Sequence, residues 1–147
     1  MSDIYSIVGS SLAAENMRMA AIASNLANVN SIAAPGTRPY RAVETVFQAA
    51  EIGTDDTGPS ADDGDATAPD LGVNVAAQVQ SNGPPVQKYD PSSPYADADG
   101  YVTGSNVNQA DEMVNLIDSS STYSASVAVL QQASKIDQQL ISSFQVT

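Results

Sequence analysis

Residues 5–29 read YSIVGSSLAAENMRMAAIASNLANV, and apolar side chains recur along this stretch at steps of three and four residues. Glu15 interrupts a series that otherwise consists of Tyr5, Val8, Leu12, Met19, Ile22, Leu26 and Val29. This spacing gathers the apolar side chains into a narrow stripe on one face of an α-helix. Such a stripe is typical of a helix that packs against another helix.

A similar stripe runs through the other end of the chain. It consists of Met113, Leu116, Tyr123, Val127, Leu130, Ile141 and Phe144, while Ile136 and Leu140 mark a drift toward a period of 3.6 residues. We therefore expect helices over residues 1–31 and 109–147 that pair as a coiled-coil-like hairpin. The fold class predicted for the whole chain is α+β, with a small β-rich body over residues 32–108.

The end of the first helix carries its own stop signals. Asn25, Asn28 and Asn30 lie near that end, where asparagine can adopt the left-handed conformation that closes a helix. The Ala34-Pro35-Gly36 sequence that follows prevents the helix from continuing. We expect the helix to end near residue 31.

The middle of the chain has the patterns of short strands. Residues 40–48 predict one strand, and Leu71, Val73, Val75, Ala77 and Val79 alternate as on one face of a second. After the turn signal at residues 82–85, residues 86–89 are predicted to pair back, which gives a small meander. Residues 51–70 hold seven acidic residues and no basic one, a composition typical of an exposed, mobile loop.

Composition excludes several classes of function. The formal net charge of −12 opposes nucleic-acid binding, and the absence of Cys and His removes thiol and imidazole chemistry. No apolar run is long enough for a membrane span, and no signal-peptide pattern is present. We therefore predict no catalytic residues, no cofactor and no metal site.

One acidic motif leaves a calcium loop open as an alternative. Asp97-Ala98-Asp99-Gly100 resembles the start of such a loop, but Asn108 stands where the acidic twelfth ligand belongs. A tight turn is the favoured interpretation.

Five short motifs stand out along the chain. The first is Ser24-Asn25-Leu26-Ala27-Asn28 at the end of the N-terminal helix. The others are Pro39-Tyr40-Arg41, Asp97-Ala98-Asp99-Gly100-Tyr101-Val102, Asn106-Val107 and Glu112-Met113-Val114-Asn115. In these motifs the chain resembles the bacterial flagellar rod and hook proteins, and the resemblance covers residues 4–49 and 86–145.

The resemblance implies a non-enzymatic structural subunit of the proximal rod. In this family the terminal helices form an assembly domain that lines a helical tube and orders as subunits assemble. The expected partners are further copies, other proximal and distal rod subunits, and ring and export-gate components of the basal body. The rod lies in the periplasmic space, and export would follow the flagellar type III route without a cleaved signal. The predicted assembly residues are Val8, Leu12, Met19, Ile22, Asn25, Leu26, Asn28, Met113, Leu116, Tyr123, Val127, Leu130 and Ile141.

Other interpretations remain open from the residues alone. The two stripes could form an ordinary monomeric helical hairpin, and a secreted adaptor could use that hairpin to bind one partner without polymerising. The asparagines near residue 28 could serve only to end the helix, or they could also bond to neighbouring chains. An acidic hydrolase would need carboxylates gathered from separate segments into a cleft, which no spacing in this sequence requires.

Overall fold

The computed structural model describes residues 2–51 and 71–144, with side chains from residue 4 onward. Two long helices enclose two pairs of strands, which confirms the α+β prediction. The predicted acidic loop falls, from residue 52 onward, outside the described residues. In chain order the elements are α1 (Ser2–Ala27), β1 (Val43–Glu51), β2 (Leu71–Gln80), β3 (Val86–Tyr89), β4 (Tyr101–Gly104) and α2 (Gln109–Phe144).

Helix α1 is the middle layer of the molecule, because α2, β1 and β2 all contact it. The two helices are antiparallel. Asn25 meets Glu112 where α1 ends and α2 begins, and Tyr5 meets Asp137 near the opposite ends. At about 1.5 Å per residue, α1 is roughly 39 Å long and α2 roughly 54 Å long. The pairing of the terminal helices that the sequence predicts is therefore present within a single chain.

Helix α1 ends at Ala27, four residues before the predicted position. The prediction of a left-handed asparagine cap is wrong, since no residue other than glycine has a positive φ in the described part of the chain. The side chain of Asn28 instead donates to the carbonyl oxygen of Ser24 at 2.9 Å, which also accepts from the backbone amide of Asn28 at 3.2 Å. A turn at Ala34-Pro35-Gly36-Thr37 follows, in which Gly36 has a φ of 81°.

Strands β1 and β2 form an antiparallel ribbon. The prediction that the apolar residues of β2 share one face is wrong. Val46 pairs with Ala77 and Phe47 with Val75, so Ala76 has no partner across the ribbon. This extra residue is a β-bulge, and it shifts the alternation of side chains between the two faces.

Strands β3 and β4 form a second, separate ribbon, so the predicted meander is wrong. Pro84 and Pro85 lack amide donors and stand between β2 and β3, where a tight hairpin would need a regular turn. The segment 86–89 pairs instead with residues 101–104, and the rings of Tyr89 and Tyr101 meet edge to face at 5.3 Å.

The turn before β4 is the tight turn predicted at residues 97–100. The carboxylate of Asp97 accepts hydrogen bonds from the amides of Asp99 at 3.0 Å and Tyr101 at 2.8 Å. Gly100 has a φ of 82°, and a Cβ there would lie only 3.0 Å from the ring of Tyr89. Both its backbone conformation and the available space therefore require glycine.

The carboxamide of Asn25 joins three elements of the fold. Its nitrogen donates to the carbonyl oxygen of Val43 and to Glu112 Oε1, both at 3.0 Å. Its oxygen accepts from the amide of Val43 at 2.9 Å and from the hydroxyl of Tyr40 at 3.0 Å. Asn25 is 1% exposed, and all four of its hydrogen-bonding positions are occupied. The end of α1, the start of β1 and the first turn of α2 therefore meet at one side chain.

A second asparagine joins the strands to the start of α2. Asn106 Oδ1 accepts from the amide of Ala42 at 2.7 Å, and Asn106 Nδ2 donates to the carbonyl oxygen of Gly83 at 3.2 Å. The backbone of residues 31–33 pairs beside β4, because Ala33 donates to Thr103 and Ser105 donates to Ser31. These bonds fix the β3–β4 ribbon against the end of the helical hairpin.

Burial raises the pKa of the Glu112 carboxyl above its ordinary value. The hydrogen bond from Asn25 lowers this pKa, and the nearby charges of Glu44 and Asp111 raise it. The Glu112 carboxyl therefore binds its proton more tightly in the folded chain than in the unfolded chain. As pH rises from about 4.3 through the raised pKa, ionisation of Glu112 costs the folded state more than the unfolded state.

We expect Asn25→Leu to lower the free energy of unfolding by about 2 to 5 kcal/mol, because it leaves the amide and carbonyl of Val43 without partners inside the protein. Asn28→Leu is the matched control. That side chain bonds only within its own helix end, so the expected loss is under about 1 kcal/mol. Urea denaturation followed by circular dichroism measures both. Equal losses in the two variants would contradict a joining role for Asn25.

We expect Glu112→Gln to increase stability at pH 7, because a neutral side chain at this buried position has no ionisation cost and can still accept from Asn25. The advantage should shrink as pH falls toward about 4, where Glu112 becomes protonated in both states. Asp111→Asn removes the same charge from an exposed neighbouring position and is the control. A loss of stability at pH 7 specific to Glu112→Gln would show that the fold needs the carboxylate.

Candidate assembly surface

Four polar contacts between described side chains join the two helices at successive levels. From the closed end toward the termini, Asn25 bonds to Glu112, Arg18 to Asp118 at 3.1 Å, Ser119 to Glu15, and Tyr5 to Asp137 at 2.7 Å. Small residues such as Ala14 and Ala21 are buried on α1 between these levels. The hairpin is thus held in one register by specific hydrogen bonds.

Glu15 occupies the position that interrupts the apolar stripe of α1. It is buried and accepts a hydrogen bond from the hydroxyl of Ser119, which is fully buried. Arg18 lies 3.8 Å away on the same helix and also reaches Asp118, with that pair exposed to solvent. Exposed ion pairs contribute little, so the buried hydrogen bond is the stronger tie at this level. The interruption in the sequence pattern therefore marks an internal polar contact.

Tyr5 and Asp137 form, of these four contacts, the one nearest to the chain termini. The hydrogen bond to the Asp137 carboxylate raises the pKa of the Tyr5 phenol above its ordinary value. The phenol therefore stays protonated, as a donor, throughout the neutral pH range.

The structure places the predicted assembly residues in three environments. Val8, Ile22 and Asn25 are buried within the chain. Met113 and Ile141 are exposed. The half-buried residues are Leu12, Met19, Leu26, Asn28, Leu116, Tyr123, Val127 and Leu130. Their role as contacts between subunits stays a prediction.

Sequence reasoning missed the polar side of this surface. Glu15, Asp118, Ser119 and Asp137 all join the two helices, and none of them is one of the apolar residues that define the two stripes. The signal available for Glu15 was its place inside the stripe, since a carboxylate there needs a partner once the stripe is buried. The serines of α2 offered no comparable signal, because serine is common on exposed helix faces.

Helix α2 exposes much of its apolar surface. Its buried side chains are Glu112 and Ser119, both polar. Large apolar side chains are exposed at both ends and in between, at Met113, Val114, Ile117, Val129, Ile136, Leu140, Ile141 and Phe144. A single chain of this size normally turns so many large apolar residues inward. The described part of the chain leaves them without cover.

The end of α2 extends beyond the start of α1. Since Tyr5 lies opposite Asp137, antiparallel pairing brings Ser2 opposite about residue 140. Ile141 and Phe144 lie past that point and are 59% and 81% exposed. The last turn of α2 contains no basic residue.

An apolar cleft lies at the opposite end of the hairpin, where α1 leads into the strands. It has a volume of about 330 Å³, with Val102 and Val107 as its buried floor. Val29, Ile32 and Val86 form its walls, and Lys88 lines it as well. Ile32 and Val86 are exposed, so the cleft is open to solvent.

Neither of the two described helices is long and apolar enough to cross a membrane.

Comparison with known proteins finds similar sequences among flagellar proteins. A family model described as "Flagellar basal body rod FlgEFG protein C-terminal" matches residues 98–143, which include β4 and nearly all of α2. The flagellar basal-body rod protein FlgC of Salmonella typhimurium is 42% identical over 128 residues, which cover 87% of this chain and 86% of that protein.

More distant relatives cover the same extent. FlgC of Escherichia coli O6:H1 is 41% identical over 128 residues, with 87% of this chain and 86% of the relative covered. FlgC of Borreliella burgdorferi is 31% identical over 131 residues, with 86% of each chain covered. With such identity along nearly the whole length, this chain belongs to the FlgC family of flagellar basal-body rod proteins.

Proposed function

We propose that this structural subunit of the flagellar rod polymerises through its two terminal helices into a helical tube that transmits torque. The observation that carries the proposal is that polar and apolar side chains of α2 have different surroundings. Polar side chains join it to α1 within the chain, while its large apolar side chains remain exposed. Neighbouring subunits would supply the cover that these side chains lack.

The geometry of the exposed residues favours an open assembly. Three of them, Met113, Val114 and Ile117, lie near the start of α2, and four lie near its end, at Ile136, Leu140, Ile141 and Phe144. A surface of this kind makes contacts between unlike patches, and such contacts generate a helical array unless the rotation closes a ring. A tube of subunits whose long helices run side by side would bury Val129, Ile136 and Leu140.

The expected partners are other rod subunits, both proximal and distal, together with ring and export-gate components of the basal body. We propose that the chain acts in the periplasmic part of the rod and reaches it by the flagellar type III route without a cleaved signal. A mechanical role without catalysis is supported by the absence of Cys and His from the sequence and by the structural nature of the family.

The first test is mass spectrometry of detergent-washed hook–basal bodies purified from the source organism. We expect this chain at a level comparable to that of the other rod subunits, because a structural component is retained through washing. Its absence from intact basal bodies would overturn the proposal and favour a secreted adaptor that uses the same hairpin.

We expect Ile136→Glu to reduce incorporation into basal bodies at least about ten-fold, since an unpaired buried charge costs several kcal/mol and each 1.4 kcal/mol is ten-fold. The free chain should keep its helical circular dichroism, because Ile136 is exposed within it.

Gln132→Glu is the matched control, since it adds the same charge to the same helix at a position that is already polar and exposed. Equal incorporation of both variants and the parent chain would show that the rod does not bury Ile136.

A further inference from the structure

The two ends of the hairpin are complementary in shape and polarity. One end carries the exposed Ile141 and Phe144 on the last turn of α2. The other end carries the open apolar cleft formed by Val29, Ile32 and Val86 over Val102 and Val107. From Glu112, beside the cleft end, to Phe144 is 32 residues of helix, or about 48 Å. One chain therefore cannot bring its own α2 end into its own cleft.

We propose that this cleft receives the C-terminal end of a helix equivalent to α2 from a neighbouring rod subunit, so that subunits dock end to end. The inference rests on the proposed function, because it names one contact within the assembly. The cleft has a volume of about 330 Å³ and a mostly apolar lining, which suits the entry of apolar side chains such as Ile141 and Phe144.

Charge complementarity favours a helix end as the occupant. Within the described residues, Lys88 forms no ion pair, and it is one of only five basic residues in a chain of net charge −12. The C-terminal end of a helix carries free carbonyl groups and the negative end of the helix dipole. Helix α2 provides no basic side chain in its last turn to offset them. Lys88 of the receiving subunit would lie beside that helix end, and its positive charge would offset the negative end of the dipole.

The family comparison supports a related helix as the partner. The model that matches residues 98–143 is described for FlgE, FlgF and FlgG, so a C-terminal segment like this one is shared by other rod-family proteins. The occupant can therefore come from a second copy or from a related subunit, and both present the same element. The contact joins unlike surfaces at opposite ends of the molecule, which is the arrangement that extends an assembly lengthwise.

The test is site-specific photocrosslinking within assembled basal bodies. A benzophenone amino acid replaces Asn30, an exposed residue that lines the cleft, and mass spectrometry identifies the crosslinked peptide. We expect the captured peptide to be the C-terminal helix end of a rod subunit, either residues 137–144 of this chain or the equivalent segment of a relative. The same photoreactive residue at Tyr95, which is exposed outside the cleft, is the control and should not capture that segment.

Two substitutions test the chemistry of the contact. Lys88→Glu should lower the yield of this crosslink at least five-fold, relative to the amount of chain in the basal bodies, whereas Lys88→Arg should preserve it. Phe144→Ala should lower any capture of this chain's own helix end by a similar factor. Both residues are exposed in the free chain, so its fold should not change.

The outcomes separate this inference from the proposed function. If the chain is present in basal bodies but position 30 captures a different segment or no protein, the end-to-end contact is wrong and the rod assignment stands. If Lys88→Glu leaves the yield unchanged, the proposed charge match is wrong. Absence of the chain from basal bodies overturns both.

Discussion

The fully bonded carboxamide of Asn25 is the constraint on which the rest of the structure depends. It lies where α1 ends, and its four hydrogen bonds engage Tyr40, both backbone groups of Val43, and Glu112. Because these bonds reach β1 and α2 together, they fix where the first ribbon leaves the helix and where the second helix returns. A leucine of similar size would fill the volume but could not specify these directions.

This arrangement couples the small strands to the long hairpin. Isolated two-stranded ribbons are marginal in water, and each ribbon of this chain is attached to α1 or to the residues that follow it. The described residues between the two helices therefore form no core separate from the hairpin. Its buried apolar residues are few and mostly small, with Val8, Ala14, Ala21, Ile22, Ala42, Val102 and Val107 described as buried. Hydrogen bonds from Asn25 and Asn106 determine how the strands and helices are positioned, which a larger core would otherwise do.

The sequence predicted the helices well and the strands only in part. Periodicity over more than twenty residues located α1 and α2, because a long repeat averages out single exceptions. The pairing of short strands depends on contacts distant in sequence, so the partner of residues 86–89 could not be predicted from their own pattern. A single extra residue at Ala76 was enough to break the predicted alternation of β2. The polar ties were missed because Ser119 and Asp137 acquire partners only when the register of the helices is known.

The four polar ties between α1 and α2 determine how the hairpin responds to force along its length. Displacement by one helical turn, about 5.4 Å, would break all four contacts together and leave the buried Glu15 and Glu112 without their partners. Two helices that contacted each other only through apolar side chains could shift by one turn at less cost, because each aliphatic side chain would meet another aliphatic neighbour. The hairpin therefore owes its resistance to shear to these polar contacts, and only one of them, at Glu15, lies where the apolar stripe is interrupted.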